Sequence, residues 1–223
     1  MYLLLLTVSA LLVDGKREYE KDSRFYRRLL YSATDLCVWL LRIRVHISGK
    51  EKLPEGRFLL VGNHRSNFDP ILTWYALKES QLAFISKEEN FHVPLFGRII
   101  RRCCFMAIDR ENPKNAMKTI LKAAELLKKK EVSVAVYPEG TRSKTCELLP
   151  FHNGVFKIAQ RAEVPIVVVA VRGTENIHKN YIRHRSDVWI DIIDVLSAEE
   201  INGSRSKDIG DRVYRDLEEK LQK

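Results

Sequence analysis

Cysteine is scarce in this chain. Its 223 residues contain four, namely Cys37, Cys103, Cys104 and Cys146, of which two are adjacent and none forms a C-x-x-C pair. This spacing indicates neither a disulfide framework nor a thiolate zinc site. A reducing compartment is the simpler interpretation.

The chain also lacks a hydrophobic run long enough to cross a membrane. Its longest run near the amino end, Leu3–Val13, has eleven residues and is apolar except for Thr7 and Ser9. As a helix it would extend about 16 Å at 1.5 Å per residue, and the hydrocarbon layer is roughly 30 Å thick. A secretory signal would carry positive charge before this run, and none precedes Leu3. Collagen, long disorder and a polytopic membrane protein are excluded by a globular composition, 45% hydrophobic and 30% charged.

Acidic residues are in the minority. Lys and Arg number 38 against 29 Asp and Glu, a net charge of +9, and the sequence pI is near 9.4. This balance favours an anionic partner, and nucleic acid, anionic lipid and phosphorylated substrates all qualify.

The segment Ser23–Ile43 has the pattern of a basic amphipathic helix. On a helical wheel one arc holds Phe25, Tyr26, Leu29, Leu30, Ala33, Leu36, Cys37, Leu40 and Leu41. The opposite side holds Arg24, Arg27, Arg28, Asp35 and Arg42. The helix could pack on its own domain, but together with Leu3–Val13 it predicts an interfacial helical membrane anchor over residues 1–43. Lys16, Arg17 and Lys21 favour the cytoplasmic face of the cell membrane, with peripheral or monotopic attachment.

After residue 43, β-rich runs alternate with helical patterns. The predicted strands are Ile43–Ile47, Arg57–Val61, Leu82–Ser86, Cys103–Ile108, Val132–Tyr137, Pro165–Val171 and Val188–Val195. The predicted helices are Pro70–Lys78, Asn112–Lys130, His152–Ala162 and Ser204–Leu221. The fold class is therefore α/β, with one domain over residues 44–223 whose central mixed sheet of about seven strands is flanked by helices.

A histidine and a carboxylate, His64 and Asp69, lie five residues apart in the loop that follows the strand Arg57–Val61. Asp69 could simply cap the helix that Pro70 begins, and His64 could be an ordinary loop histidine. The functional interpretation is that Asp69 orients the imidazole of His64 and leaves its other nitrogen free as a general base. The other histidines show no metal-like spacing with this pair, so we expect no metal site.

A second motif, Glu139-Gly140-Thr141-Arg142, follows the strand Val132–Tyr137. Glycine permits a tight turn close to a ligand, and an arginine can grip a phosphate through two parallel hydrogen bonds. Thr141 adds a hydroxyl, and Glu139 can hold the arginine or the loop in place. An ordinary turn with a surface arginine is the alternative.

These motifs together resemble those of the glycerolipid acyltransferase family, specifically the 1-acyl-glycerol-3-phosphate acyltransferases. The matching blocks occur in the family's order and are Asn63-His64-x4-Asp69, Ile108-Asp109-Arg110, Glu139-Gly140-Thr141-Arg142 and Val164-Pro165-Ile166-Val167. One departure is Val168, where the family usually has a second proline. This puts acyl-donor contacts in doubt more than the chemistry.

The resemblance implies transfer of a fatty acyl group from acyl-coenzyme A or acyl carrier protein to lysophosphatidic acid, giving phosphatidic acid. His64 would be the base and Asp69 its orienter, with no metal or other cofactor. The glycerophosphate-binding residues that carry over are Arg110, Glu139, Gly140, Thr141 and Arg142. To these we add Lys87 as a phosphate contact, because it directly follows the strand Leu82–Ser86.

Three alternatives remain at this point. The same chemistry could act on another acceptor, such as glycerol 3-phosphate or a lyso-aminolipid. The chain could instead be a non-catalytic lipid-binding protein of the membrane surface, although the intact His64 and Asp69 argue against this. Aromatic residues are not interleaved with the basic clusters outside the amino-terminal helix, so we expect no nucleic-acid partner.

Overall fold

A computed structural model describes residues 1–181 and 184–222 of the chain. Within these residues one seven-stranded sheet has the order β1-β7-β6-β2-β5-β3-β4. Its strands are β1 (Ile43–Ser48), β2 (Leu59–Gly62), β3 (Leu82–Lys87), β4 (Met106–Ile108), β5 (Ser133–Val136), β6 (Ile166–Arg172) and β7 (Ser186–Leu196). All neighbouring strands are parallel except the pair β6 and β7. The predicted single α/β domain with a mixed sheet of seven strands is confirmed.

Helices cover this sheet. In the described part of the chain they are α1 (Tyr2–Leu11), α2 (Arg24–Leu40), α3 (Phe68–Ala76), α4 (Phe96–Arg101), α5 (Pro113–Lys128), α6 (Lys157–Ala162), α7 (Ile177–Asn180), α8 (Ala198–Ile201) and α9 (Ser206–Gln222). The predicted central strand is confirmed, because no side chain of Ile166–Val171 is more than 1% exposed. A strand that is apolar on both faces is the expected centre of a covered parallel sheet.

The sequence pattern overestimated one strand and missed the short helices α4, α7 and α8. The predicted strand Cys103–Ile108 is reduced to β4, since Cys104 has a left-handed backbone with φ +59°. Residues 103–105 lie instead in the turn that follows the short α4, and the amide N–H of Cys103 donates to the Ile100 carbonyl as that helix ends. Six helical residues are too few for a periodic pattern to predict a helix.

Arg27 does not lie on a solvated face of α2, so the helical-wheel prediction is wrong for this residue. Its side chain is buried, with its guanidinium 2.7 Å from the Asp22 carboxylate. It also donates to the carbonyls of Leu82, at 2.6 Å, and Cys103, at 3.0 Å. The carboxylate and the two carbonyls supply the partners that a buried guanidinium requires. Arg27 therefore joins the start of α2 to the start of β3.

The remaining surface of α2 is apolar as well as charged. Phe25, Leu36, Trp39 and Leu40 are exposed, with Trp39 the most open at 73%. Arg24 and Arg28 are exposed on the same helix. We call Phe25, Leu36, Trp39 and Leu40 the apolar strip of α2.

Helix α1 lies antiparallel to α2 and adds to its exposed apolar surface. The Tyr26 hydroxyl donates to the Ser9 carbonyl at 2.9 Å, and the Tyr2 and Ser32 hydroxyls are 2.7 Å apart. Most of the leucines of α1 remain exposed. None of the helices within residues 1–181 and 184–222 has both the length and the apolar character needed to cross a membrane.

Candidate active site

The predicted His64 lies in the loop after β2 and Asp69 in the first turn of α3, and their side chains are in direct contact. The Nδ1 atom of His64 is 2.8 Å from Oδ2 of Asp69. Asp69 is fully buried, whereas the His64 side chain is 17% exposed. Since a carboxylate only accepts hydrogen bonds, Nδ1 carries the proton and Nε2 is left as the basic nitrogen.

Asp69 organises the loop as well as the imidazole. Its Oδ2 atom also accepts the backbone N–H groups of Arg65, at 2.6 Å, and Ser66, at 2.7 Å. The N-cap position of α3 belongs to Asn67, and no side chain caps the helix there. The alternative that Asp69 is an N-cap is therefore wrong, because its donors lie in the loop ahead of the helix.

An aromatic ring supports the other side of the histidine. The Tyr137 ring stacks on the His64 ring with centroids 4.4 Å apart and planes 9° from parallel. Burial raises the pKa of the Tyr137 hydroxyl well above its ordinary value, so the phenol stays neutral. Stacking on Tyr137 thus fixes the plane of the His64 ring, and the hydrogen bond to Asp69 fixes how the ring is turned within that plane.

Glu139 connects the two functional loops. One carboxylate oxygen accepts the His64 N–H at 2.6 Å, and the other accepts the Leu149 N–H at 3.0 Å. In the opposite direction the Ser143 N–H donates to the His64 carbonyl at 2.8 Å. Burial raises the pKa of the Glu139 carboxyl, and its two backbone donors oppose that shift. Both oxygens are occupied by backbone, so the carboxylate holds the loops in place, as one interpretation of the motif suggested.

The rest of this motif faces outward. Gly140 has φ +69°, and a Cβ there would lie 2.9 Å from the His152 ring, so glycine is required. Thr141 and Arg142 follow it and are exposed. Within the described residues neither side chain has a hydrogen-bond or ion-pair partner. The turn therefore presents a hydroxyl and an unpaired guanidinium to a ligand.

Lys87 and Arg110 lie at the same edge of the sheet but farther from His64. Lys87 ends β3 and is paired in register with Ile108 of β4, and Arg110 follows two residues later. Both side chains are exposed. At ~4.8 Å between strands, β3 is about 10 Å and β4 about 14 Å from β2. The structure thus brings His64, Asp69 and the Glu139 loop together and leaves these two cations at the periphery.

Two residues at the site were given no role from the sequence. The Asn63 side chain donates to the Val171 carbonyl at 2.9 Å and accepts the Val171 N–H at 2.8 Å. The fully buried Thr174 donates its hydroxyl to Oδ1 of Asp69 at 2.5 Å. Asn63 belongs to the block Asn63-His64-x4-Asp69, so the sequence contained a signal for this residue. Thr174 lies 105 residues beyond Asp69, and only the pairing of β2 with β6 brings it here.

Among residues 1–181 and 184–222, no three His, Cys, Asp or Glu side chains are grouped closely enough to hold a metal ion.

The fold is α/β, and the site contains a histidine–carboxylate pair in direct contact. Residues 44–172 match the Acyltransferase family over more than half of the chain. The chain belongs to the acyltransferase family.

Individual relatives share a narrower description. The chain is 35% identical over 139 residues to a 1-acyl-sn-glycerol-3-phosphate acyltransferase of Cocos nucifera, covering 62% of this chain but only 44% of that protein. It is 28% identical over 208 residues to the Streptococcus pneumoniae protein of the same description, covering 92% of this chain and 76% of the other. The match thus spans less than half of the plant relative.

A solved structure has the same fold. The crystal structure of the 1-acyl-sn-glycerophosphate acyltransferase from Thermotoga maritima superposes with a TM-score of 0.74 at 23% identity. The alignment covers 99% of this chain and 87% of that one.

We expect Glu139→Ala to lower the free energy of unfolding by about 2–4 kcal/mol, because two partly buried N–H groups lose their acceptors at ~1–2 kcal/mol each, the lower part of the range for unsatisfied donors. Urea unfolding followed by circular dichroism measures this. Glu147→Ala, an exposed glutamate in the same loop, is the control and should stay within ~0.5 kcal/mol of the wild type. Equal stability of the two variants would show that the Glu139 carboxylate is free to bind substrate instead.

Proposed function

We propose that this protein transfers a fatty acyl group from acyl-coenzyme A or acyl carrier protein to the sn-2 hydroxyl of 1-acyl-glycerol 3-phosphate, giving phosphatidic acid. The observation that carries the proposal is the free Nε2 of His64, held by Asp69 on a loop bonded to the turn that bears the unpaired Arg142. The names of the sequence relatives supply the substrate class.

The reaction needs one proton acceptor. Nε2 of His64 takes the proton of the acceptor hydroxyl as that oxygen attacks the thioester carbonyl. The resulting tetrahedral intermediate collapses, the carbon–sulfur bond breaks, and the imidazolium returns the proton to the departing thiolate. The charge of Asp69 stabilises the imidazolium between these steps. The reaction forms no acyl-enzyme, and we propose no metal or cofactor beyond the acyl donor.

The phosphate of the acceptor is assigned to the turn after β5. Arg142 and Thr141 offer a guanidinium and a hydroxyl without other partners, and the φ of Gly140 permits the turn that exposes them. Lys87 and Arg110 add positive charge farther along the same edge. They attract an anionic acceptor or the phosphates of a donor without touching the reacting atoms.

The amino-terminal helices support attachment to a membrane surface. Because β1 is parallel to β7 and β7 is antiparallel to β6, β1 begins at the sheet edge where β6 ends. Helix α2 leads into β1, so the apolar residues of its last turns, Trp39 and Leu40, lie at the active-site end. Insertion of the apolar strip would put His64 beside the lipid surface. We propose peripheral attachment to the cytoplasmic face of the cell membrane through residues 1–43.

His64→Ala should abolish acyl transfer while the protein remains folded, because only the proton acceptor is lost. General-base catalysis contributes typically ~10²–10⁴-fold. The assay uses detergent-purified protein, labelled lysophosphatidic acid and both types of acyl donor. His152→Ala, which removes another histidine near the site, tests whether loss of any imidazole has this effect.

Wild-type turnover with lysophosphatidic acid supports the proposal. Faster turnover with glycerol 3-phosphate or a lyso-aminolipid would show that lysophosphatidic acid is not the preferred acceptor. No turnover with any acceptor would favour a non-catalytic lipid-binding protein. Wild-type rates in folded His64→Ala would remove His64 from the mechanism.

Arg142→Ala should raise the KM for lysophosphatidic acid by about 10-fold or more, since a charged hydrogen-bond pair to phosphate is lost. The KM for the acyl donor should change little. Lys144→Ala, an exposed cation two residues away, controls for general loss of charge. If donor saturation fails instead, the phosphate bound by this turn belongs to the donor.

Replacing Arg24 and Arg28 with glutamine should weaken flotation with anionic liposomes, at ~1 kcal/mol per cation. Trp39→Ser with Leu40→Ser should reduce the binding that persists at high salt, because salt screens charge and not hydrophobic burial. Arg205→Gln, just before α9, combined with Lys207→Gln on α9 is the charge-matched control. Equal flotation of all variants would argue against the proposed surface.

A further inference from the structure

The dyad of His64 and Asp69 extends to a third side chain. Oδ2 of Asp69 already takes three donors, from the His64 ring and two backbone N–H groups. Oδ1 takes the Thr174 hydroxyl, at 2.5 Å. Both Asp69 and Thr174 are 0% exposed, so water does not compete for this contact.

The backbone around Thr174 is fixed in two ways. The Asn63 amide forms hydrogen bonds with both backbone groups of Val171, three residues before Thr174. Gly173 then turns the chain with φ +89°, and a Cβ there would lie 2.3 Å from the Asp187 carbonyl oxygen. Asn63 also directly precedes His64. The Asn63 side chain therefore fixes the positions of both His64 and Thr174 relative to the paired strands β2 and β6.

We infer that Thr174 is a positioning residue of the acyl transfer, acting through Asp69. This rests on the proposed function. The Thr174 hydroxyl fixes the rotation of the carboxylate, so that Oδ2 faces Nδ1 of His64. Without it, Oδ1 is a buried anionic oxygen with no donor, and such a group either rotates toward another donor or retains excess charge.

Excess negative charge on Asp69 would shift the pH dependence of the reaction in one direction. A more negative Asp69 stabilises the imidazolium form of His64, so a higher pH is needed to free the base. The titratable groups that face this pair are Tyr137, stacked on His64, and Glu139, bonded to the His64 N–H. Burial raises the pKa of both, and Thr174 contacts neither in a hydrogen bond that the structure describes. The effect therefore passes through Asp69.

The test measures kcat, KM and their pH dependence for Thr174→Val and Thr174→Ser. The valine variant should lose about 10-fold in kcat, the usual size of an orienting hydrogen bond behind a reacting group, with KM for the acceptor little changed. The acid limb of the pH–rate profile of this variant should move to higher pH. The serine variant keeps the hydroxyl and should recover most of the rate and the wild-type pH profile. Thr174→Ala provides a second hydroxyl-free variant if valine does not fold.

Thr34→Val is the matched control. Thr34 is a buried threonine whose hydroxyl accepts the Trp74 indole N–H at 2.8 Å, away from the dyad. Its loss should reduce stability and leave the pH profile unchanged.

The effect should also be non-additive with Asp69→Asn, because Thr174 acts through that carboxylate. If the wild type is active and the valine and alanine variants keep its rate and pH profile, the proposed role of Thr174 is wrong. Equal damage by serine and valine would contradict that role too. A wild type inactive with every acceptor would overturn the proposed function itself.

Discussion

A buried carboxylate determines the arrangement of this active site. Asp69 is fully buried, and an unpaired charge in that position would be very costly, so its surroundings must supply donors. They come from His64, from two backbone N–H groups of the loop before α3 and from Thr174. The hydrogen bonds to Asp69 thus fix the conformation of the loop and the orientation of the imidazole. They also hold the segment after β6 close to the end of β2. Catalytic geometry and local stability have the same physical cause.

The sheet provides the scaffold for this convergence. Strands β2, β5 and β6 are adjacent and parallel, so their carboxyl ends deliver the histidine loop, the Glu139 turn and Thr174 to one place. Glu139 and Ser143 then bind the backbone of His64 from both directions. His64 is held by rigid elements on three sides, while the Arg142 side chain on the outer side is exposed. A fixed imidazole beside an exposed cationic turn is the arrangement on which the proposed function depends.

The sequence predicted the alternating strands and the two functional motifs because both depend on local patterns, namely apolar runs and short spacings. It could not predict Thr174, whose contact with Asp69 depends on which strands become neighbours. It also misplaced Arg27, since a helical wheel assigns every arginine to solvent, and only the tertiary fold supplies Asp22 and two carbonyls to receive this one. For Glu139 the motif left two roles open, and the buried contacts with two backbone N–H groups favour the role of holding the loops.

The central claim is that Asp69 holds His64 with its proton on Nδ1 and its basic Nε2 free. Nitrogen NMR of ¹⁵N-histidine-labelled protein in detergent micelles, assigned with His64→Ala, reports which ring nitrogen carries the proton in the neutral form. We expect protonated Nδ1 and a bare Nε2 in the wild type, with this preference weakened in Asp69→Asn. A neutral His64 protonated on Nε2, or one that exchanges freely between both forms in the wild type, would contradict it.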